Sequence, residues 1–470
     1  MIRKIFKTLA RLAPGKLSSK AIRRSNERTP HEPEIFKGSR IGIDQRLVSQ
    51  AAMRTIEGLQ KAGFQAFVVG GAVRDLVLGI RPKDFDVATN AEPEQVQRCF
   101  RRARIIGRRF RLVHVMFGPD TIEVSTFRAL QAEDTDIDEH GRVLRDNVFG
   151  EQHEDATRRD FTVNALYYDP ISDKVLDYHH GVKDLKDRIL RMIGNAEHRY
   201  REDPVRMLRA VRLSTKLDFR IEPSTSQPIR QLASLIHNVP SARLFDEMLK
   251  LLYSGNSYEG LRQLREQGLH HGCLPLLDLV FEESEPSAVQ FIALALHATD
   301  DRIHDGKPVS AGFLFAALLW NLVRVRWQQL HQKGEHLIPA LNQAIDEVID
   351  QHLDALAIQR RYVADMREIW LMQPRFEKRQ AASVAHLMEH IRFRAGYDFL
   401  LLRAESGQCG ADLAQWWTHY IEGDSSERAR LQSQAASAGG NGSPGKSSRR
   451  RRKRSSPEGA QRLPDPAVDQ

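Results

Sequence analysis

Between positions 67 and 87 the chain packs four structural instructions into 21 residues. Phe67-Val68-Val69 is an apolar run of the length of a short buried strand, and Gly70-Gly71 ends it. Residues 72–78 then follow helical spacing, and 84–89 alternate with period two, as a second strand does. Strand, tight turn, helix and strand commit this stretch to a sheet with a helix laid on it. Phe85 and Val87 would face the core, which puts the carboxylates of Asp84 and Asp86 together on the other face.

The flanking sequence extends this unit. Residues 47–62 have amphipathic helical spacing, and 113–117 with 121–126 form a hairpin turned at Gly118-Pro119-Asp120. The stretch 128–145 is polar and acidic, as an exposed loop is. Beyond Tyr178 strand signals fade. Helical spacing covers 184–193, 200–215, 241–252, 258–267, 288–297, 312–325 and 337–356. The expected fold class is α+β: a small mixed-sheet head followed by an all-helical neck and body. The expected divisions are a basic arm (1–40), the head (41–178), the neck (179–265), the body (266–423) and an Arg-rich tail (424–470).

Charge separates the ends from the middle. Residues 1–40 carry 11 Lys/Arg against 3 Asp/Glu, and 424–470 carry 10 against 5. With a total of +9, the stretch between them is left at −4. Basic arms around a slightly acidic body are expected to meet a polyanion, either nucleic acid or an anionic membrane surface. A basic amphipathic helix over 2–12 would suit peripheral membrane contact or RNA, with a frayed solvated arm as the plain alternative. The tail, with six consecutive basic residues at 449–454, cannot bury a core and is expected to be disordered. No apolar run approaches the roughly 18 residues of a membrane span, and 311–320 is expected to be a buried helix. Cys99, Cys273 and Cys409 are few and far apart. They exclude a disulfide framework and fit a reducing cytoplasm. No secretory signal is evident.

Several clusters carry chemistry. Gly70-Gly71-Ala72-Val73-Arg74-Asp75 follows a strand and opens a helix, where backbone N–H groups can approach a phosphate. Two carboxylates at Asp84 and Asp86 can share divalent cations. Ile122 and Val124 face inward, so Glu123 points outward; if its strand lies beside 84–89, Glu123 brings a third carboxylate. Arg128, just beyond, suits a triphosphate. Residues 154–166 read as a helix that brings Arg159, Asp160 and Asn164 within about one turn, and an Asp beside an Arg stays ionised. At 202–210 Asp203 is a fair N-cap and Pro204 suits a first helical turn. Arg206 and Arg209 then project from neighbouring points, and paired Asp and Arg side chains can read the edge of a base. His304-Asp305, His179-His180 and His270-His271 lack any ligand spacing.

Taken together, residues 67–87 (FVVGGAVRDLVLGIRPKDFDV), 123–128 (EVSTFR), 158–166 (RRDFTVNAL) and 202–209 (EDPVRMLR) resemble, in order, the motifs of class II nucleotidyltransferases of the polymerase beta superfamily. That family holds tRNA CCA-adding enzymes and bacterial poly(A) polymerases. The segment 105–115 (IIGRRFRLVHV) is similar to the poly(A) polymerase form and lacks the Gly-Thr pair of the CCA-adding form. The resemblance implies template-independent addition of AMP from ATP to RNA 3′ ends, with pyrophosphate released. It implies two Mg²⁺ on Asp84 and Asp86, and the outward placement of Glu123 on its strand makes that residue a rival of Asp160 as the third metal carboxylate. Asp160 is a family active-site position, and Gly70, Gly71 and Arg74 fall in the head signature. Arg159, Asp160, Asn164, Asp203, Arg206 and Arg209 would line the nucleotide pocket. The partners implied are single-stranded RNA ends, ATP and RNA-decay proteins. A CCA-adding enzyme and a non-catalytic RNA-binding relative are the alternatives.

Overall fold

The computed structural model describes residues 32–107, 111–129, 148–269, 285–352 and 358–439. The arm before 32, most of the loop at 128–145, the basic block 449–454, His270-His271 and Cys273 lie outside the described residues.

The head is an eight-stranded mixed sheet. Its strands are β1 (Glu34–Lys37), β2 (Ala66–Val69), β3 (Asp86–Thr89), β4 (Ala103–Ile106), β5 (Leu112–Phe117), β6 (Asp120–Thr126), β7 (Leu166–Asp169) and β8 (Lys174–Asp177). The order across the sheet is β1-β8-β7-β2-β3-β6-β5-β4, and among neighbours only β3 and β6 run parallel. Helix α1 (Gln50–Lys61) packs on it, started by Ser49, whose hydroxyl accepts from the Ala52 amide at 3.1 Å. Ala52, Ile56 and Leu59 are the buried stripe of that helix. All of β2 is buried, as its unbroken apolar run requires. The β5–β6 hairpin turns through Gly118 at φ +62°.

Strand β3 is shorter than its alternation. It begins at Asp86, opposite Val69, because β2 stops there and Gly70 turns the chain away. Asp84 therefore precedes the strand, while Phe85 and Val87 are buried as expected. The sheet also holds strands that no alternation announced. The edge strand β1 lies within the stretch read as a basic arm, and β7 and β8 flank the turn at 170–173.

The expected helix over 154–166 is corrected. Helix α4 (Gln152–Arg158) ends at Arg158, and Arg159 is extended with ψ 165°. Backbone bonds then go to a distant segment: Thr162 N donates to Arg191 O at 3.0 Å, and Ile193 N to Asp160 O at 2.9 Å. Residues 184–193 are likewise a short helix α5 (Gly181–Lys186) followed by β9 (Ile189–Leu190), which pairs with β10 (Arg220–Ile221).

The rest of the described chain is helical. The span 200–215 is two helices, α6 (Ala196–Glu202) and α7 (Val205–Leu217), parted at Asp203-Pro204. Next come α8 (Pro223–Leu232), α9 (Ser241–Leu252) and α10 (Ser257–Glu266). The body holds α11 (Pro286–His304), α12 (Ala311–Gln332), α13 (Leu337–His352), α14 (Arg360–Phe376), α15 (Ala381–Met388), α16 (Phe393–Glu405), α17 (Ala411–Glu422) and α18 (Ser425–Gly439). Helix α12 is the buried helix its apolar run foretold. Its Trp320 is fully enclosed, and Trp370 donates to Ala316 O at 3.0 Å. Among the described residues no helix is long and apolar enough to cross a membrane.

Candidate active site

One cavity of about 440 Å³ opens between the sheet and α7. Gly70, Gly71, Arg74, Asp86, Arg128, Arg159, Asp160, Asn164, Asp203, Arg206 and Arg209 all line it, so it gathers every residue singled out from the sequence except Asp84 and Glu123.

The carboxylate side is built by strand register. Asp86 opens β3 and stands opposite Glu123 on β6, which is the pairing needed to bring Glu123 alongside. Both residues are exposed at the surface, with Glu123 keeping 56% of its side chain accessible. Even so, protein atoms crowd the Asp86 carboxyl. That partial desolvation, followed by the charge of Glu123, pushes it up to about 6, while Arg159 pulls the other way. Neither Asp84 nor Asp86 has a hydrogen-bond or ion-pair partner for its side chain among the described residues. Glu123 Oε1 lies 3.4 Å from His114 Nε2. No three His, Cys, Asp or Glu side chains of the described residues converge closely enough to hold an ion. What the site does offer is carboxylate oxygens at Asp84 and Asp86 that no protein group hydrogen-bonds among the described residues, which suits a hard divalent cation.

The opposite wall is a chain of side-chain bonds. Arg74 donates from Nε to Asp75 at 2.8 Å and from Nη1 to Asn164 Oδ1 at 2.8 Å. Asn164 Nδ2 donates to Asp160 Oδ1 at 3.3 Å, and Arg209 Nη2 lies 2.7 Å from Asp160 Oδ2. This last contact is an ion pair whose angle misses hydrogen-bond geometry, so Oδ2 and Arg209 Nε are buried without a hydrogen bond. Burial alone would raise the Asp160 carboxyl. Arg209, the Phe161 amide, Asn164 and Arg206 outweigh it and hold the group below the usual carboxylate range. Arg74, expected at a phosphate, is thus bound to protein groups on two sides. Gly71 is small for the same reason, since a Cβ there would meet Arg74 Nη2 at 3.3 Å. Gly70 adopts φ +72° and ψ −136°, a conformation that only glycine takes readily.

Arg159 is held by Asp155 at 3.0 Å and Tyr167 Oη at 3.1 Å, and Tyr167 in turn donates to Asp155 at 2.6 Å. Arg128 N donates to Asp155 Oδ1 at 3.3 Å. Arg199 Nη2 donates to the carbonyls of Arg158 and Arg159 at 2.5 and 2.7 Å, which fastens α6 to the loop that carries Asp160.

On the helical side the expected N-cap is corrected. Pro204 occupies the N-cap of α7, and Asp203 instead accepts from Arg243 of α9 at 3.0 and 3.1 Å. Arg206 Nη1 donates to Arg199 O and Glu202, both at 2.8 Å. Asp155, Arg158 and Arg212 also line the cavity and were not singled out. Arg212 was legible, lying three residues beyond Arg209 on the same helical face. It is anchored to the buried Glu247 at 3.0 Å.

Three comparisons with known proteins bear on this geometry. Family models match as "Poly A polymerase head domain" over residues 66–191, "Probable RNA and SrmB- binding site of polymerase A" over 218–280 and "Polymerase A arginine-rich C-terminus" over 333–456. The chain is 45% identical to Poly(A) polymerase I of Haemophilus influenzae over 420 residues, covering 87% of this chain and 92% of that protein. It is 46% identical to Poly(A) polymerase I of Salmonella typhi over 389 residues, covering 80% and 83%. Among solved structures, the CCA-adding enzyme of Bacillus stearothermophilus in complex with CTP aligns with a TM-score of 0.52 at 26% identity, covering 82% of each chain.

Proposed function

This chain belongs to the poly(A) polymerase I family, and from that premise we propose how its site works. The protein is a polynucleotide adenylyltransferase that adds poly(A) to RNA. One observation carries the reading. Asp86 from the sheet and Arg206 and Arg209 from α7 line the same cavity, whose volume of about 440 Å³ is that of a small-ligand site. A nucleotide lying there would have its phosphates toward the carboxylates and its base toward α7, with no template strand.

In the reaction the 3′ oxygen of the RNA forms a bond to the α-phosphorus of ATP as the bond to pyrophosphate breaks. Asp84 and Asp86 would hold two Mg²⁺, and Glu123, the register partner of Asp86, would supply a third carboxylate only once its side chain turns toward them, since the three do not converge as they stand. Such ions, when bound, activate the attacking hydroxyl and neutralise the triphosphate. Glu123 suits that place better than Asp160, because Asp160 is already neutralised by Arg209. The role of Asp160 is to stay ionised and, with Asn164, to fix Arg209 and Arg74 around the sugar. Arg128 and Arg159 face the triphosphate, and Gly70-Gly71 let it approach the backbone. Asp203 and Arg206 read the adenine edge by hydrogen bonds.

The head over 41–178 supplies catalysis, the neck over 179–265 the base contacts, and the body over 266–423 a hold on RNA. Cys99 and Cys409 are free thiols, and we place the enzyme in the cytoplasm. The test is an RNA primer incubated with Mg²⁺ and each NTP separately. ATP alone should extend it by many residues. A product that stops after a few nucleotides and needs CTP would instead make this a CCA-adding enzyme.

A further inference from the structure

Between positions 98 and 111 the chain carries seven arginines and no Asp or Glu. The proposed function leaves this stretch without a role. Arg111 pairs with Glu94. Arg98, Arg101, Arg102 and Arg104 are exposed, and none has an ion-pair or hydrogen-bond partner for its side chain among the described residues. Some exposed arginines are neutralised locally, as Arg262 is by Glu259 and Arg394 by Asp398; Arg40, Arg54, Arg81, Arg220 and Arg360 also lack a partner among the described residues, but they are scattered along the chain, whereas these are clustered. Arg98 faces the charge of Glu94, and leaving the other three like charges together without counterions is costly unless a polyanion covers them.

Strand register ties this patch to the active site. Asp86 is opposite Glu123, Glu123 is opposite His114, and His114 is opposite Arg104. The four side chains form a row across β3, β6, β5 and β4 on one face of the sheet. Val87, Val124, Val113 and Ile105, one position along in each strand, turn to the other face and enter the core. Neighbouring strands lie about 4.8 Å apart, so Arg104 sits roughly 14 Å from Asp86 along the row. Arg102 is two residues before Arg104 and shares its face; its carbonyl accepts from the Met116 amide at 2.9 Å, which continues the ladder. β4 is the outermost strand on this side, so nothing in the sheet lies beyond it.

Resting on the adenylyl-transfer reading, we infer that the β4 edge is a phosphate track for the RNA primer, with Arg102 and Arg104 binding the backbone just upstream of the 3′ end. The row starts at the carboxylates where the 3′ hydroxyl reacts and ends at unpaired arginines within a few nucleotides' reach. Charge on an edge strand also blocks edge-to-edge aggregation. That simpler role predicts altered solubility and no altered RNA affinity.

The experiment uses the full chain, a short oligo(A) primer and no ATP, with affinity measured across a salt series. Arg102→Ala/Arg104→Ala should weaken primer binding about tenfold at low salt. On single strands each neutralised phosphate contributes about 0.7 to the slope of log K against log salt, so two lost contacts flatten it by about 1.4. The Arg102→Lys/Arg104→Lys variant, which keeps the charge, should restore the slope. At saturating primer, kcat and the KM for ATP should be unchanged in both. Slopes equal to wild type in the folded alanine variant would overturn the inference, whether it aggregates or loses binding to phosphatidylglycerol vesicles instead. If wild-type protein binds the primer but never extends it with ATP, the proposed function fails first; extension with unaltered slopes sinks the track alone.

Discussion

Asp86 and Glu123 are register partners on adjacent parallel strands, and the Glu123 charge adds to desolvation in pushing the Asp86 carboxyl up. Side chains placed this way depend on a cation to relieve them. Asp84→Ala and Asp86→Ala should each cut AMP transfer by about a thousandfold, which corresponds to ~4 kcal/mol of lost transition-state stabilisation. Glu123→Ala should raise the Mg²⁺ concentration needed for half-maximal rate, whereas Asp160→Ala should lower the rate at every Mg²⁺ concentration. Steady-state rates across a Mg²⁺ titration, with circular dichroism to verify folding, check all four variants.

The same crowding sets a pH dependence of stability. The Asp86 carboxyl is pushed up from 3.8 to about 6 on folding. A folded value above the unfolded one means that protonation favours the fold. The contribution is complete below the unfolded value and is lost as pH rises through about 6. Asp86→Asn should therefore stabilise the metal-free protein at neutral pH. Because the residue is solvent-accessible, screening limits the gain to about 1 kcal/mol. Thermal melts in chelator should show the variant higher by about 2 °C at neutral pH and equal to wild type in acid. A neutral-pH melt below wild type would mean that Asp86 is compensated by a group other than a cation.

Asp160 behaves in the opposite sense. Its carboxyl is held low by Arg209 against the effect of burial, so its contribution is present above the ordinary carboxylate range and fades as pH falls through the lowered value. Asp160→Ala leaves the Arg209 charge facing a protein wall. Breaking a buried pair costs about 3–5 kcal/mol, and partial exposure of Arg209 brings the expected loss to about 2 kcal/mol. Denaturant unfolding of Asp160→Ala, Arg209→Ala and the double variant should reveal a coupling of about 1 kcal/mol or more. Additive losses would show that the ion pair does not hold the neck to the head.

Base choice should respond to α7. Arg206→Ala removes bonds to Arg199 O and Glu202 and leaves the buried stripe of the helix intact. The preference for ATP over CTP should fall at least about tenfold, ~1.4 kcal/mol. Arg243→Ala frees Asp203 and should shift the same ratio without slowing ATP incorporation at saturation. Competition between labelled ATP and CTP gives the ratio directly, and an unaltered value in Arg206→Ala would leave that residue a structural role only.

What could be seen in advance follows from how local each feature is. The Gly70-Gly71 turn, the β5–β6 hairpin and the buried helix α12 are set by residues within a few positions of one another. The loop at 159–164 is not. Its charged residues lie at helical spacing, yet its amides and carbonyls bond to residues 191–193, a pairing that periodicity cannot register. Strand β7 escaped for a related reason: Leu166, Tyr167 and Tyr168 are all buried, so no alternation marks it. In the site, the motifs named nearly every lining residue but not their pairings. Arg74 turned inward to Asn164, and Asp203 turned to Arg243, because partners about 90 and 40 residues away outcompeted the local roles that spacing suggested.

The bonded line from Asp75 through Arg74, Asn164 and Asp160 to Arg209 has a bearing on recombination between homologues. Its members come from three separate stretches of chain, so a crossover anywhere between 75 and 209 inherits part of the line from each parent. Chimeras that exchange α7 alone import an arginine selected against another protein's carboxylate. The natural unit of exchange is the whole span from the glycine turn to the end of α7, and libraries shuffled within it should lose function far more often than libraries shuffled outside it.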